Sequence, residues 1–341
     1  MLLNFIQYKY SIIIENTTTG AVYDISKAFE NAVWTTHRHA SQPGTLEVTI
    51  KEGIYPADMI IHEGSFITFG INGTNYFYGR VQSVELISNG EEGSAWCINA
   101  YNSFKLLNTV ENSKREHGAT ASDFFQYLMD KYSYIGLRGA VLEPSSIPLE
   151  RNYYIGESLF NMIDDSLRLT HSKTHTEHFM IRDNLGIIEF RELSRLRTAY
   201  ILGDDSFVNS YTYTANINTD TYNVIKGVRM NNETGFIDVW QVHDSLTRDR
   251  FGHKQKTIDI MDNVDNMQID AFISLVLEAK NRPVRSARLT AIGINGLQAG
   301  DGIQVRINKK SIDHFMPINT ITHVYSPTEH VMDMELAVQV V

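Results

Sequence analysis

A short pattern occurs twice in this chain, near residue 64 and again near residue 300. The first copy reads Gly64-Ser65-Phe66-Ile67-Thr68-Phe69-Gly70-Ile71-Asn72, and the second reads Gly300-Asp301-Gly302-Ile303-Gln304-Val305-Arg306-Ile307-Asn308. Gly, Ile, Ile and Asn fall in register, and Phe69 faces Val305. Each copy is a glycine turn, an alternating strand and a second turn, Asn72-Gly73-Thr74 or Asn308-Lys309-Lys310. A further β-like run follows each, with Val81 and Val84 matched to Ile321 and Val324. Internal repeats decide architecture before local propensities do. This one predicts a small β-domain used twice, far apart in one chain.

At 341 residues the chain exceeds one ordinary core and suits two or three domains. Its 43% hydrophobic and 21% charged content is that of a globular protein rather than a disordered one. The formal net charge is -10, from 40 acidic and 30 basic residues, and no Lys/Arg stripe interrupts it. Stable binding to a phosphate backbone is therefore not expected. With Cys97 the single cysteine, no intrachain disulfide can form, which fits assembly in a reducing compartment. The run Ser11-Ile12-Ile13-Ile14 is too short for a signal-peptide core, and no run is long enough to span a bilayer. The 17 Tyr, 16 Phe and 3 Trp suit β-rich cores and large protein contacts.

Residues 1–105 read as strands. Leu46, Val48 and Ile50 alternate with Glu47, Thr49 and Lys51, and Trp96, Ile98 and Ala100 alternate with Cys97, Asn99 and Tyr101. Ser41-Gln42-Pro43-Gly44 is a turn and Asn89-Gly90-Glu91-Glu92-Gly93 a hairpin tip. The polar stretch Asn108–Glu116 reads as a domain junction. Residues 106–202 are α+β. Thr120 caps a helix carrying Phe124, Phe125, Leu128, Met129 and Tyr132. A second helix carries Leu159, Phe160, Ile163 and Leu167, and residues 179–190 form a hairpin around Asp183-Asn184-Leu185-Gly186. Residues 203–341 return to strands, with one helix capped by Asn266 and carrying Ile269, Phe272, Ile273 and Val276, before Pro283. The expected fold is mainly β, with two similar β-barrels flanking an α+β insertion.

No catalytic, cofactor-binding or metal-binding residue is assigned. The glycines at 293, 296, 300 and 302 lack the dinucleotide fingerprint and read as turns between strands. His171, His175 and His178 have ligand-compatible spacing, but Ser172 stands where a zinc protease needs glutamate. They read as an exposed helix end, and His37 and His39 as a solvated strand face. Cys97 lies in a strand without a helix N-terminus or basic neighbour to lower its pKa. The pairs Asp164-Asp165 and Asp204-Asp205 are adjacent in sequence, which does not place two carboxylates across a cleft.

The order of parts resembles the baseplate hub proteins of contractile phage tails and tail-like bacteriocins, the PBSX-prophage type and late-control D-like hubs. The resemblance rests on Trp34, Gln42-Pro43-Gly44-Thr45-Leu46-Glu47-Val48, Gly64–Phe69 leading to Phe77-Tyr78-Gly79-Arg80-Val81, Ala119–Asp123, Glu157-Ser158-Leu159-Phe160 and Leu297–Ile303. It implies a structural, non-enzymatic homotrimer whose two barrels per chain make a ring of six. Such a ring joins a six-fold tail tube to a three-fold central spike. It implies as partners the spike, the tube or tube-initiator protein, the tape-measure protein and other baseplate proteins. Assembly would take place in the bacterial cytoplasm. The competing expectations are a cell-wall hydrolase and a carbohydrate-binding tail module.

Overall fold

The computed structural model describes residues 8–38, 42–51, 53–54, 59–88, 94–174, 177–204, 206, 208–218, 220–230, 235–260, 266–308 and 312–337. As expected, the chain is mainly β, with several sheets and few helices. It groups into two compact units, residues 1–211 with 288–338, and residues 212–287 with 339–341.

The strands of the N-terminal part are β1 (Tyr10–Glu15), β2 (Val22–Asp24), β3 (Phe29–His37), β4 (Thr45–Lys51), β5 (Phe66–Ile71), β6 (Thr74–Ser88) and β7 (Ser94–Asn102). In β4 the alternation predicted from sequence holds, with Leu46, Val48 and Ile50 buried and Glu47 and Lys51 exposed. Each such aliphatic side chain contributes on the order of 1.5–3 kcal/mol on burial. Their core also takes Ile12, Trp34, Ile67, Phe69, Ile98 and, from far along the chain, Tyr325.

Next come β8 (Val110–Arg115), α1 (Ala121–Lys131), β9 (Gly139–Leu142), β10 (Asn152–Ser158), α2 (Leu159–Thr174), β11 (Phe179–Asn184) and β12 (Ile187–Glu192). α1 begins at a capping box. The Thr120 hydroxyl accepts from Asp123 N–H, and the Asp123 carboxylate accepts from Thr120 N–H. Phe124, Phe125, Leu128 and Met129 then fall on its buried face, and Leu159, Phe160 and Ile163 of α2 meet them in one core. Leu185 and Gly186 take positive φ between β11 and β12, as a two-residue hairpin requires. The polar stretch read as a junction contains β8, whose inner positions Ser113 and Arg115 are buried against β10.

The chain continues through β13 (Arg197–Gly203) and β14 (Val208–Asn216) into the second unit. That unit holds β15 (Val224–Met230), β16 (Ile237–His243), α3 (Ser245–Phe251), β17 (Gln255–Asp259) and α4 (Asn266–Lys280). Its sheet runs β16-β15-β17, and Ile269, Ile273 and Leu277 of α4 cover Ile225. Phe272, expected on the same helix face, is 45% exposed. The Asn266 side chain lies outside the described residues. β18 (Val284–Ile292), β19 (Gly302–Ile307), β20 (Ile312–Tyr325) and β21 (His330–Ala337) then complete the fold.

The sheet pairing reveals how far the duplication extends. One half runs β1-β5-β6-β7-β4-β3 and the other β13-β19-β20-β21-β18-β14. Six strands correspond one to one, in the same chain order. The correspondence is exact at the repeated glycines. Gly64 N–H donates to Val81 O (2.8 Å) and Val81 N–H to Ser65 O (2.9 Å). Gly300 N–H donates to Ile318 O (2.8 Å) and Ile318 N–H to Asp301 O (2.9 Å). Both long strands carry a bulge just beyond, at Gln82 and at Asn319. The outer strands differ, since β1 is antiparallel to β5 and β13 parallel to β19.

This pairing corrects one sequence reading. Val81 and Val84 correspond to Ile318 and Ile321, not to Ile321 and Val324. The β19-β20 turn is longer than the β5-β6 turn, and the bulge switches the strand from one face to the other. A slip by an odd number of residues exchanges inner for outer positions, and Val324 is indeed 44% exposed while Ile318 and Ile321 are fully buried.

Candidate functional site

The two six-strand halves meet along one strand pair. β3 runs antiparallel to the C-terminal half of β20, from Thr320 opposite His37 to Tyr325 opposite Ala32. The seam is buried and aromatic. Trp34 stacks on His323 with ring centres 5.0 Å apart, and Tyr325 stacks on His330 at 4.1 Å. His323 Nε2 lies 2.8 Å from Leu297 O and its Nδ1 lies 2.9 Å from His330 Nε2. Burial pushes both imidazoles below their ordinary value, His323 to about 4 and His330 to about 3, the latter also opposed by His323. At the seam's edge Thr35 and Thr322 share a hydroxyl hydrogen bond of 3.0 Å, and Thr36 Oγ1 accepts from Ala299 N–H at 2.9 Å.

The second repeat copy is tied to the α+β insertion by charge. Arg182 on β11 donates to Asp301 at 3.1 Å and to Glu189 at 2.8 Å, and Arg191 joins Glu189 to Glu143. Burial would raise Glu189, but hydrogen bonds from Arg191, Asn184 and Arg182 outweigh it and hold the carboxyl at about 2. For Asp183 burial wins and raises the carboxyl to about 6, although Gly186 and Ser103 donate to it. Every carboxylate in this cluster is already occupied by an Arg or a backbone donor, which is the signature of a structural tie rather than an acid-base pair.

Inside the insertion, Arg115 is 1% exposed. Its Nη1 donates to Asp165 Oδ2 (3.0 Å) and Tyr154 Oη (2.8 Å), its Nε donates to Glu150 O (3.0 Å), and Tyr154 Oη donates to Asp165 at 2.7 Å. The sequence alone puts Arg115 in a polar junction and Asp165 in an adjacent acidic pair. The signal available was the alternation of β8, which puts Ser113 and Arg115 on one face.

The sequence candidates fall as follows. The His171 and His178 rings lie against each other at a tilt of 35°, with ring centres 3.8 Å apart, while His175 lies outside the described residues. Among the described residues no group of three His, Cys, Asp or Glu side chains could hold a metal ion. His37 faces Thr320 Oγ1 at 3.3 Å, and His39 lies outside the described residues. Cys97 is buried on β7, and burial together with Glu47 and Glu85 pushes its thiol above the ordinary value, away from the reactive thiolate. Asp164 pairs with Arg168 at 3.0 Å. Asp204 accepts from Asn308 N–H at 2.8 Å, and Asp205 lies outside the described residues. The hairpin tip 89–93 and the Lys309-Lys310 turn also lie outside them. A cavity of about 40 Å³ between Phe66, Tyr78, Arg80 and Lys105 is too small for a metabolite. Among the described residues no helix is long and apolar enough to cross a membrane.

The model of the family described as YQBQ-like matches residues 32–337. None of the curated proteins matches. Among solved structures the fold is similar to the 43 kDa tail protein of prophage MuSo2 from Shewanella oneidensis. That match has a TM-score of 0.69 at 13% identity over 96% of this chain and 98% of that one. It is similar to the tail protein from Neisseria meningitidis MC58, with a TM-score of 0.69 at 13% identity over 97% of each chain. It is also similar to prophage tail protein gp18 from Listeria monocytogenes EGD-e, with a TM-score of 0.62 at 13% identity over 96% and 94%.

Proposed function

This chain belongs to the YQBQ-like family, and we propose that it is a structural baseplate hub of a contractile phage tail or tail-like bacteriocin. In this reading three copies form a ring that joins the six-fold tail tube to the three-fold central spike. The observation that carries it is the duplicated six-strand unit, with equivalent glycine turns and equivalent bulges in both halves. Three chains with two such units each present six quasi-equivalent surfaces on one side and true three-fold symmetry on the other. The solved tail proteins of the same fold support a place in a tail particle.

The division proposed is functional. Residues 1–105 and 203–341 supply the two barrels of the ring, and residues 106–202 face the spike or the surrounding baseplate. The partners are the spike, the tube or its initiator, the tape-measure protein and neighbouring baseplate proteins. A net charge of -10 suits a ring through which polymer passes without capture. The chain would be made and assembled in the bacterial cytoplasm and act without catalysis. Light scattering on the purified chain, alone and with the spike protein encoded beside it, tests this. A trimer has three times the 38.8 kDa chain mass, about 116 kDa. A monomer in both samples contradicts the ring.

A second reading, carbohydrate binding, has one observation in its favour. An open depression of about 640 Å³ is lined by Tyr153, Asn152, Asn161, Asp164 and Arg168, a mixture of aromatic and hydrogen-bonding groups suited to a sugar. Calorimetry with soluble peptidoglycan fragments tests it, and no heat of binding discards it.

A further inference from the structure

The two halves differ in one respect that their common topology does not predict. In the second half, the C-terminal stretch of β20 is flanked on both sides, by β21 and by β3. The equivalent stretch of the first half, Ser83–Ser88 of β6, pairs only with β7 among the described residues. Conversely β3 pairs with β4 and β20, whereas its counterpart β14 pairs with β18 alone among the strands of the described residues. Among the described residues one half thus shows no second neighbour along the end of its long strand, and the other none beyond its outer strand.

Burial follows the same asymmetry. Counting from the shared bulge, Leu86 corresponds to His323 and Ile87 to Val324. His323, covered by β3, is fully buried, while Leu86 is 51% exposed. On the opposite face Val324 and Ile87 are exposed alike, at 44% and 43%. The difference is largest on the inner face, where Val84, Leu86 and Ser88 are each less buried than Ile321, His323 and Tyr325. β14 has the same nine-residue length as β3, carries no charged residue and is largely exposed along its course, Tyr211 included.

We propose that β14 of one chain adds antiparallel to Ser83–Ser88 of β6 in a second copy of this chain, repeating between chains the β3–β20 pairing that exists within one. The contact is head-to-tail, so each chain offers one β6 edge and one β14 edge to its neighbours until a ring closes. Backbone hydrogen bonds supply the pairing, and Leu86 with Tyr211 supplies the apolar cover. The number of chains in the ring, three, rests on the hub reading; the identity of the paired edges does not.

The test uses the full chain with Cys97→Ser, Leu86→Cys and Tyr211→Cys, treated with a bismaleimide and read by light scattering and denaturing gel. The expected result is covalent dimers and trimers, absent when either introduced cysteine is omitted. Leu86→Glu, at an already exposed position, should keep the wild-type melting profile and shift the mass toward 38.8 kDa. A trimeric mass without interchain cross-links, or a Leu86→Glu variant that stays trimeric, overturns the edge pairing and leaves the hub reading standing. A monomeric wild type, alone and with the spike, overturns both.

Discussion

His323 and His330 are joined by a single hydrogen bond, Nδ1 to Nε2 at 2.9 Å, at the seam between the two halves. Its direction follows from the neighbours. Leu297 O can only accept, so His323 Nε2 carries the proton and its Nδ1 accepts from His330 Nε2–H. Both rings are then neutral, and a proton added to His323 Nδ1 would meet the His330 N–H head on. Polar chemistry has been placed where a purely apolar contact would also have packed, and it ties β20 to β21 beside β3, whose Trp34 stacks on His323.

The first prediction concerns pH. The unfolded chain takes up protons on these histidines as pH falls through about 6.5, whereas the folded chain does so only near 4 and 3. Stability is therefore full above pH 6.5 and declines as pH falls toward 4, by about 1–2 kcal/mol per histidine at pH 5. Thermal melts from pH 7.5 to 5 should show Tm falling. The His323→Leu/His330→Phe double variant should flatten that limb, and an unchanged slope would remove the histidines from the account.

A second prediction compares equivalent glycines. Gly64 has φ +85° and open space where a Cβ would stand, so Gly64→Ala should cost only the backbone strain, about 1 kcal/mol. Gly300 has φ +92°, and a Cβ there would lie 2.2 Å from Met180 Sδ. Gly300→Val should cost roughly 3 kcal/mol or more through strain and collision together. Urea titrations of the two variants check the order, and equal losses would refute the packing argument.

The third prediction concerns the seam directly. Gly293 N–H donates to His330 O at 2.7 Å, and a Cβ on Gly293 would lie 2.1 Å from the His330 ring. Gly293→Ala should displace that ring and lower Tm by several degrees, on the order of 1–3 kcal/mol. Near-ultraviolet circular dichroism, which reports Trp34 and Tyr325 packing, should change with it.

Arg115 gives the fourth. Arg115→Ala leaves the half-buried Asp165 with Tyr154 and with only the exposed Arg168 at 4.0 Å as a cation, and should cost about 1–3 kcal/mol in chemical denaturation. Thr120→Ala, which removes only the α1 cap, should cost about 1 kcal/mol in the same assay.

Much of this fold was legible in the sequence, for reasons that can be named. The α1 cap, the apolar spacing of α1 and α2, and the Asp-Asn-Leu-Gly hairpin are local signals, and each stands where the residues placed it. The glycine turns of the repeat were readable because positive φ leaves few alternatives. The register beyond them was not, because a bulge changes face without changing composition. β8 is hidden in the sequence because its buried positions are the polar Ser113 and Arg115, and the partners of Arg115, Tyr154 and Asp165, lie far along the chain. The His323–His330 seam gave no warning either, since seven residues apart on two strands is no recognisable motif until β20 and β21 pair.

The measurement that tests the central claim most directly is cryo-electron microscopy of the intact particle. The account predicts density for this chain as a three-copy ring between tail tube and spike, with six quasi-equivalent six-strand units around the axis. Density at the baseplate periphery, a copy number of six, or absence of the chain from the particle would contradict it.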